Sequence, residues 1–311
     1  MTGAAGFIGS NVAARLISSG HRVVTIDNLS TGFEANIPPG AEFIKGDAAD
    51  PEIIDRLVGR NLDAIFHIAG QSSGEVSFDD PVSDVRSNAV STLLLLELCK
   101  KIGCARFIFA STMSVYGRKG DAAVEEECRC SPASFYGVAK LASENYLRIY
   151  EQFGIRSTSL RLFNVYGPGQ NLDNLRQGMV SIFLAQMLES GHIRIKGSPE
   201  RFRDFIHVDD VVEAFVRCLD NDAATGEIIN VATGVPTRVS ELVLFLTTAY
   251  SESVSVEYRG STPGDVHGIF ASVSKMDQIL GTWEKVDINS GIESMVNRYS
   301  AQRHTTQDGT F

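Results

Sequence analysis

Thr2-Gly3-Ala4-Ala5-Gly6-Phe7-Ile8-Gly9 stands at the start of this 311-residue chain. Glycines spaced G-x-x-G-x-x-G leave backbone N–H groups uncovered, so that a pyrophosphate can approach them closely. A helix that follows then turns its positive N-terminal end toward the anion. Such a turn belongs after a β-strand, yet only Met1 and Thr2 precede Gly3. The motif points to a dinucleotide. Its position places the start of the sequence where a central strand should be ending.

Working outward, strand-like and helix-like segments alternate. Asn11–Ser19 reads as a helix stopped by Gly20, Arg22–Ile26 and Glu42–Lys45 as strands, Pro51–Val58 as a helix and Ala64–Ile68 as a buried strand. Ser83–Lys101 is a long amphipathic helix, followed by strand Arg106–Ala110, helix Tyr136–Glu151 and strand Ser157–Leu162. This alternation predicts βαβ units in an α/β fold with a doubly wound parallel sheet. After Tyr166-Gly167-Pro168-Gly169 the texture becomes richer in Gly, Asn, Gln and Arg. A dinucleotide-binding domain is expected over 1–166, and a smaller α/β substrate domain over 167–207 and 233–299. Helix Val208–Leu219 and strand Glu227–Val231, within 208–232, are expected to return to the first sheet, so the two domains interleave. Residues 300–311 are polar and aperiodic and read as a frayed tail.

Composition narrows the partners. The net charge of −10, with no basic stripe, argues against a nucleic acid or an anionic membrane surface. Five scattered cysteines give no disulfide framework, which suits a reducing cytoplasm. Cys128-x-Cys130 lacks a second pair at zinc spacing, so no metal is expected. No apolar run is long enough to span a bilayer.

Five further positions carry chemistry. Asp27 ends the second strand candidate, where a carboxylate accepts from a ribose 2′-OH and repels a 2′-phosphate, favouring NAD over NADP. Asp47, after the next strand, either receives the adenine amino group or simply forms a turn. Tyr136 and Lys140 stand at i and i+4 of a helix and share one face. An unperturbed phenol is a poor base at neutral pH, and bringing it there takes roughly 4 kcal/mol. A neighbouring ammonium and a cationic nicotinamide both act in that direction. Upstream, Phe107-Ile108-Phe109-Ala110-Ser111-Thr112 runs into a hydroxyl-rich turn at a strand's carboxyl end, where open parallel sheets bind ligands. Thr112 can there stand beside the Tyr136 phenol.

With these pieces in order, the chain resembles an extended short-chain dehydrogenase/reductase of the nucleotide-sugar epimerase/dehydratase type, most similar to UDP-hexose 4-epimerases. The supporting motifs are the Gly3/Gly6/Gly9 turn, Asp27-Asn28-Leu29-Ser30, Gly46-Asp47, His67-Ile68-Ala69-Gly70, Asn88 and Ser111-Thr112. They continue with Tyr136/Lys140, Leu162-Phe163-Asn164-Val165-Tyr166-Gly167-Pro168 and Arg203-Asp204-Phe205-Ile206-His207-Val208-Asp209-Asp210. The resemblance implies that Thr112, Tyr136 and Lys140 are catalytic. It implies that Gly3, Gly6, Phe7, Ile8, Gly9, Asp27, Asn28, Asp47, Ala69 and Asn88, with Tyr136 and Lys140, hold NAD. Ser111, Thr112, Asn164, Arg203 and Asp265 would hold a nucleotide-diphosphate sugar. Asp209-Asp210 reads as a helix N-terminus and His207 as packing. The implied reaction is 4-epimerisation through a 4-keto sugar. The alternatives are another NAD-dependent reaction on a nucleotide sugar (2-epimerisation, dehydrogenation or decarboxylation) or a non-catalytic NAD-sensing role.

Several departures from the family pattern bear on specificity. Met113-Ser114 replaces the Asp-Glu pair of the resembling 4,6-dehydratases, which disfavours dehydration. Thr262 stands where an arginine is usual. Gln71-Ser72-Ser73-Gly74 replaces a lysine-bearing loop. Ile269 falls near the resembling proteins' gate on substrate size, where core packing explains it equally well. The resemblance also implies a homodimer built on Ser83–Lys101 and Tyr136–Glu151. It implies a buried strand before Thr2 as well, whose loss would leave unpaired backbone; either the start lies upstream or another segment fills the gap, and truncation with weakened cofactor binding is the expectation.

Overall fold

In a computed structural model, residues 1–260 and 267–308 are described, 302–308 by backbone alone. Short β-branched runs form parallel strands, and the amphipathic segments between them cover both faces of the sheet. The first elements are helix α1 (Phe7–Ser18), strands β1 (Val24–Asp27) and β2 (Glu42–Lys45), helix α2 (Pro51–Asp55) and strand β3 (Ala64–His67). Next come α3 (Pro81–Val85), a π-helical turn over Arg86–Val90, α4 (Ser91–Ile102), β4 (Arg106–Thr112), α5 (Phe135–Tyr150) and β5 (Arg156–Leu162). The long helix expected over Ser83–Lys101 therefore carries an inserted π turn, a feature often found at functional sites.

β1 and β2 pair in parallel, as do β3, β4 and β5 in that order. Thr2 joins the two sets by parallel bridges to Ile26 and His67. Its N–H donates to the Phe66 carbonyl at 2.9 Å, and Ile26 N–H donates to the Met1 carbonyl at 3.0 Å. The expectation of unpaired backbone at this point is thus corrected, because Met1–Thr2 occupies the central rung. The chain crosses from β2 to β3 around that rung, so the glycine turn lies at the switch point where open α/β sheets bind ligands.

Strands β6 (Asn164–Tyr166), β7 (His192–Lys196) and β8 (Phe202–His207), with helix α6 (Met179–Ser190), lead away from this sheet. Helix α7 (Val208–Arg217) packs on α1, and β9 (Glu227–Val231) pairs in parallel with β5. The remaining elements are β10 (Pro236–Arg238), α8 (Val239–Ala249), β11 (Ser255–Arg259), β12 (Gly268–Ile269), α9 (Ser274–Leu280) and α10 (Ile288–Asp308). β6, β10 and β12 all pair with β8, while β7 pairs with β11. The tail expected to fray is helical as far as Asp308.

Apolar burial follows this layout. Val12, Leu16, Ile206, Val211 and Phe215 fill one face of the large sheet. Leu95, Leu96, Phe107, Phe109 and Leu147 fill the other. A separate core around Phe183, Leu184, Met187, Leu242, Leu246 and Met295 builds the second lobe. Ile269 is 4% exposed and packs with Val115, Tyr116 and Phe163, so core packing accounts for it.

Candidate functional site

Helix α1 starts at Phe7, inside the glycine motif, rather than at Asn11. Gly6 is its N-cap without a capping side chain, and no acidic residue lies in the first turn. Helices α2, α3 and α5, by contrast, are capped by Asp50, Asp80 and Ser134. An uncapped helix start with no acid in its first turn suits an anion. Gly3 has φ +80° and lies so close to the next strand's exit that a Cβ would come within 2.7 Å of Ala69 N. A Cβ on Gly9 would stand 1.9 Å from the Gly3 carbonyl oxygen. Two glycines therefore close the turn on itself and on Ala69, while Gly6 opens it at the helix start.

Asp27 ends β1 and fixes this turn directly. Its carboxylate accepts from Ala5 N–H at 2.9 Å and from Leu29 N–H at 2.8 Å. Leu29 is the one non-glycine residue with positive φ among the described residues, at +59°. The Asn28 side chain accepts from Ser30 N–H at 3.0 Å and shapes the same loop. Asp47 accepts from Ala49 N–H at 2.8 Å, which is the turn-forming role. Ala69 N–H donates to Thr2 Oγ1 at 3.2 Å. His67 is buried between Thr2 Oγ1 (2.8 Å) and Ser91 Oγ (3.2 Å), and burial pulls its pKa well below the usual value.

Thr112, Tyr136 and Lys140 come together where β4 ends against α5. Thr112 Oγ1 accepts from Ser114 N–H at 3.2 Å, which turns the chain away from the strand. Tyr136 is buried and its pKa is pushed up to about 12, chiefly by desolvation, with the Thr112 hydroxyl drawing it back in part. Lys140 donates to the Ala110 carbonyl at 2.9 Å and sits 4.7 Å over the Phe109 ring. Burial lowers its pKa to about 8, opposed by Asp84 and Glu144. The ammonium lies 6.0 Å from the centre of the Tyr136 ring. Desolvation and the nearby Asp84 act against the phenolate, and the Thr112 hydroxyl acts for it.

Ser111 is placed differently from the expectation. Strand alternation turns it away from Thr112, and its hydroxyl donates to Glu144 on α5. Glu144 also takes a two-point ion pair from Arg161, at 2.9 and 2.8 Å, with both side chains buried. Arg161 stacks 4.7 Å over the Tyr116 ring and donates to the Glu126 carbonyl at 2.9 Å. Sequence reasoning missed this network beneath the site. Its separate strands carry no shared motif.

Asn88 lies in the π turn and donates to the Gln71 carbonyl at 3.0 Å, while its own Oδ1 is buried without a partner. Asp84, a turn earlier, was also missed. Its i, i+4 spacing from Asn88 on a helix was the available signal.

In the second lobe, Asn164 donates to the Asp204 carbonyl at 3.0 Å. Arg203 is 8% exposed and donates to the carbonyls of Phe202 at 2.7 Å and His267 at 3.3 Å. Asp204 is fully buried and clamps Thr233, Gly234 and Ala271 through their N–H groups. His207 N-caps α7 and packs edge-on against Tyr166. Asp210 accepts from Trp283 Nε1 at 2.9 Å, whereas Asp209 faces solvent. Asp265 and Thr262 lie outside the described residues.

An anion-ready helix start at a sheet switch point, beside a tyrosine–lysine pair at a strand's carboxyl end, defines a Rossmann-type dinucleotide-dependent enzyme. The model of the NAD dependent epimerase/dehydratase family matches residues 1–232, and the chain belongs to that family. It is 34% identical over 303 residues to a UDP-glucose 4-epimerase of Mycolicibacterium smegmatis, covering 95% of this chain and 96% of that one. A UDP-glucose 4-epimerase of Thermotoga maritima, solved with UDP-glucose, superposes with a TM-score of 0.91 at 33% identity, covering 97% of this chain and 98% of that one. A UDP-glucose 4-epimerase of Thermus thermophilus, solved with NAD, does so at 0.88 and 32%, covering 96% and 97%. The enzyme is an NAD-dependent epimerase. Its glycine cradle, its uncapped helix and the buried, unpartnered Asn88 Oδ1 fit that cofactor.

Proposed function

We propose that this protein interconverts UDP-glucose and its 4-epimer, with Tyr136 moving the proton at the sugar 4-oxygen. The observation that carries the reading is the convergence of Thr112, Tyr136 and Lys140 beside the glycine turn, in a chain similar over its length to UDP-glucose 4-epimerases. Bound NAD supplies a hydride acceptor at the sugar carbon and a positive ring that favours the Tyr136 phenolate.

The residues then divide the work. Tyr136 accepts the 4-hydroxyl proton and returns it after the 4-keto sugar has turned over. Thr112 donates to the reacting oxygen. Lys140, anchored on Ala110, presents its remaining hydrogens to the nicotinamide ribose. Gly3, Gly6, Phe7, Ile8 and Gly9 hold the pyrophosphate at the start of α1, with Asp27 and Asn28 at the adenosine ribose and Asp47 beside the adenine. Ala69 and Asn88 complete the cofactor wall. Residues 167–207 and 233–299 hold the nucleotide sugar, Arg203 and the neighbouring Asn164 lie toward the diphosphate, and Asp265 is a further substrate contact.

A cytoplasmic homodimer completes the proposal. Val82 (78% exposed), Val85 (43%), Phe135 (42%), Val138 (53%) and Ile149 (49%) lie on α3 and α5, which pack on one another. Such an apolar surface favours a second copy. All five cysteines are free, and no helix of the described residues is long and apolar enough to cross a membrane.

The test is product analysis by NMR with UDP-, dTDP- and CDP-sugars and NAD-loaded protein. Interconversion at C4 of UDP-glucose is expected. No conversion of any member sinks the epimerase reading, and loss of carbon or water identifies a different reaction.

A further inference from the structure

Two buried oxygens without a hydrogen-bond partner lie one turn apart, at Asp84 Oδ2 and Asn88 Oδ1. Asp84 is 1% exposed, and its other oxygen accepts from Gln71 Nε2 at 2.8 Å and from Asn88 Nδ2 at 3.3 Å. Gln71 passes the constraint on. Its amide also donates to the Ser73 carbonyl at 2.7 Å and accepts from Ser73 N–H. Ser73 Oγ in turn donates to the Arg176 carbonyl at 3.1 Å, in the chain beyond β6. On the other side, Asn88 Oδ1 and Lys140 Nζ both stand within 3.4 Å of the point that a Cβ on Gly70 would occupy.

We propose that Asp84 is a positioning residue for this site: its carboxylate pins Gln71, and with it the loop that follows β3, and sets a negative charge against the Lys140 ammonium beside the reacting phenol. The proposal rests on the reading of Tyr136 and Lys140 as the reacting pair. A buried carboxylate is costly unless a cation and hydrogen bonds compensate it. Burial pushes the Asp84 carboxyl up, opposed by the Gln71 amide, the Lys140 ammonium and the Asn88 amide, and on α5 its charge acts on Tyr136 and Lys140, with Glu144 acting on Lys140 as well. On its own helical segment Arg86 is turned to the Ala49 carbonyl, and from β3 His67 is held neutral. The charge of Asp84 favours the protonated forms of both Tyr136 and Lys140.

The test is Asp84→Asn in the NAD-loaded protein, read in two ways. Ultraviolet difference titration against the matching Tyr136→Phe variant follows the phenol whether or not sugar is converted. Removing the negative charge is expected to move the Tyr136 titration to lower pH by about half a unit or more. In the kcat profile with UDP-glucose, both limbs follow in the same direction, and kcat falls about tenfold with KM changed less. A merely structural role lowers activity and leaves the titration in place, and that result overturns the proposal. If Asp84→Asn does not fold, Asp84→Glu keeps the charge while displacing Gln71. A lower kcat with the titration, KM and melting temperature all near wild type then supports the proposal, and a titration moved to lower pH, or activity lost only in step with stability, refutes it. A wild type inactive on every sugar, with the phenol titration still responding to Asp84→Asn, rejects the epimerase reading while the coupling of Asp84 to the Tyr136 phenol stands.

Discussion

Lys140 Nζ donates to the Ala110 carbonyl at 2.9 Å, so helix α5 is bolted to the end of strand β4 by the ammonium itself. The bond fixes the lysine's reach, and with it the turn of α5 that carries Tyr136. The same burial that makes the bond strong lowers the lysine's pKa to about 8 and raises that of the phenol to about 12. One act of desolvation thus works on both groups, in opposite directions.

Tyr136→Phe removes the proton-transfer oxygen and little else, because the ring remains buried. We expect kcat to fall by about 10²- to 10⁴-fold. The melting temperature and the bound NAD should stay near wild type, as followed by calorimetry and by absorbance of the released cofactor. A variant retaining a tenth of wild-type turnover is incompatible with the assigned role.

The lowered pKa of Lys140 makes stability depend on pH. Between about 8 and the ordinary 10.5, the unfolded chain still binds the proton that the folded chain has released. Stability from this group therefore rises with pH across that window, and the full penalty applies below about 8. Urea melts of wild type and Lys140→Met at stepped pH should show wild type gaining roughly 1–3 kcal/mol relative to the variant across that window. A constant difference would show that the ammonium is not desolvated.

Gly9→Ala places a methyl group 1.9 Å from the Gly3 carbonyl oxygen, a backbone atom that cannot step aside. The glycine turn must open, costing about 3 kcal/mol or more. Protein purified with this change should carry little NAD and melt lower than wild type. Normal NAD content would mean that the turn does not cradle the pyrophosphate.

Glu144→Ala strips the buried Arg161 guanidinium of its carboxylate and Ser111 of its acceptor. An orphaned buried charge costs about 3–5 kcal/mol, and replacing both partners by apolar groups costs less than the sum. Chemical denaturation of Glu144→Ala, Arg161→Met and the double variant closes the cycle. Additive losses would exclude coupling within this network.

The local signals in the sequence were faithful where periodicity and turn chemistry decide the outcome. Glu42–Lys45 and Glu227–Val231 form the strands expected of them. The i, i+4 spacing of Tyr136 and Lys140 brings them to one helix face. Boundaries failed where an interaction outside the segment sets them. Helix α1 begins four residues early because Gly6 can cap it, and the π turn at Arg86–Val90 interrupts a helix whose pattern looks continuous. The aperiodic tail is helical to Asp308 although its composition carries no such signal.

What the sequence determined by itself is the dinucleotide turn, the alternation that makes the parallel sheet, and the types of residue that carry the chemistry. Each depends on backbone freedom, period or spacing within a few positions. Only the tertiary structure decided that Met1–Thr2 fills the central rung between β1 and β3. It also turned Ser111 toward Glu144 rather than toward the site, and set Asp84 against Gln71 and Asn88 in a buried cluster beside Lys140. These relations join residues far apart in the chain. Their strength comes from burial, which exists only once the lobes have packed.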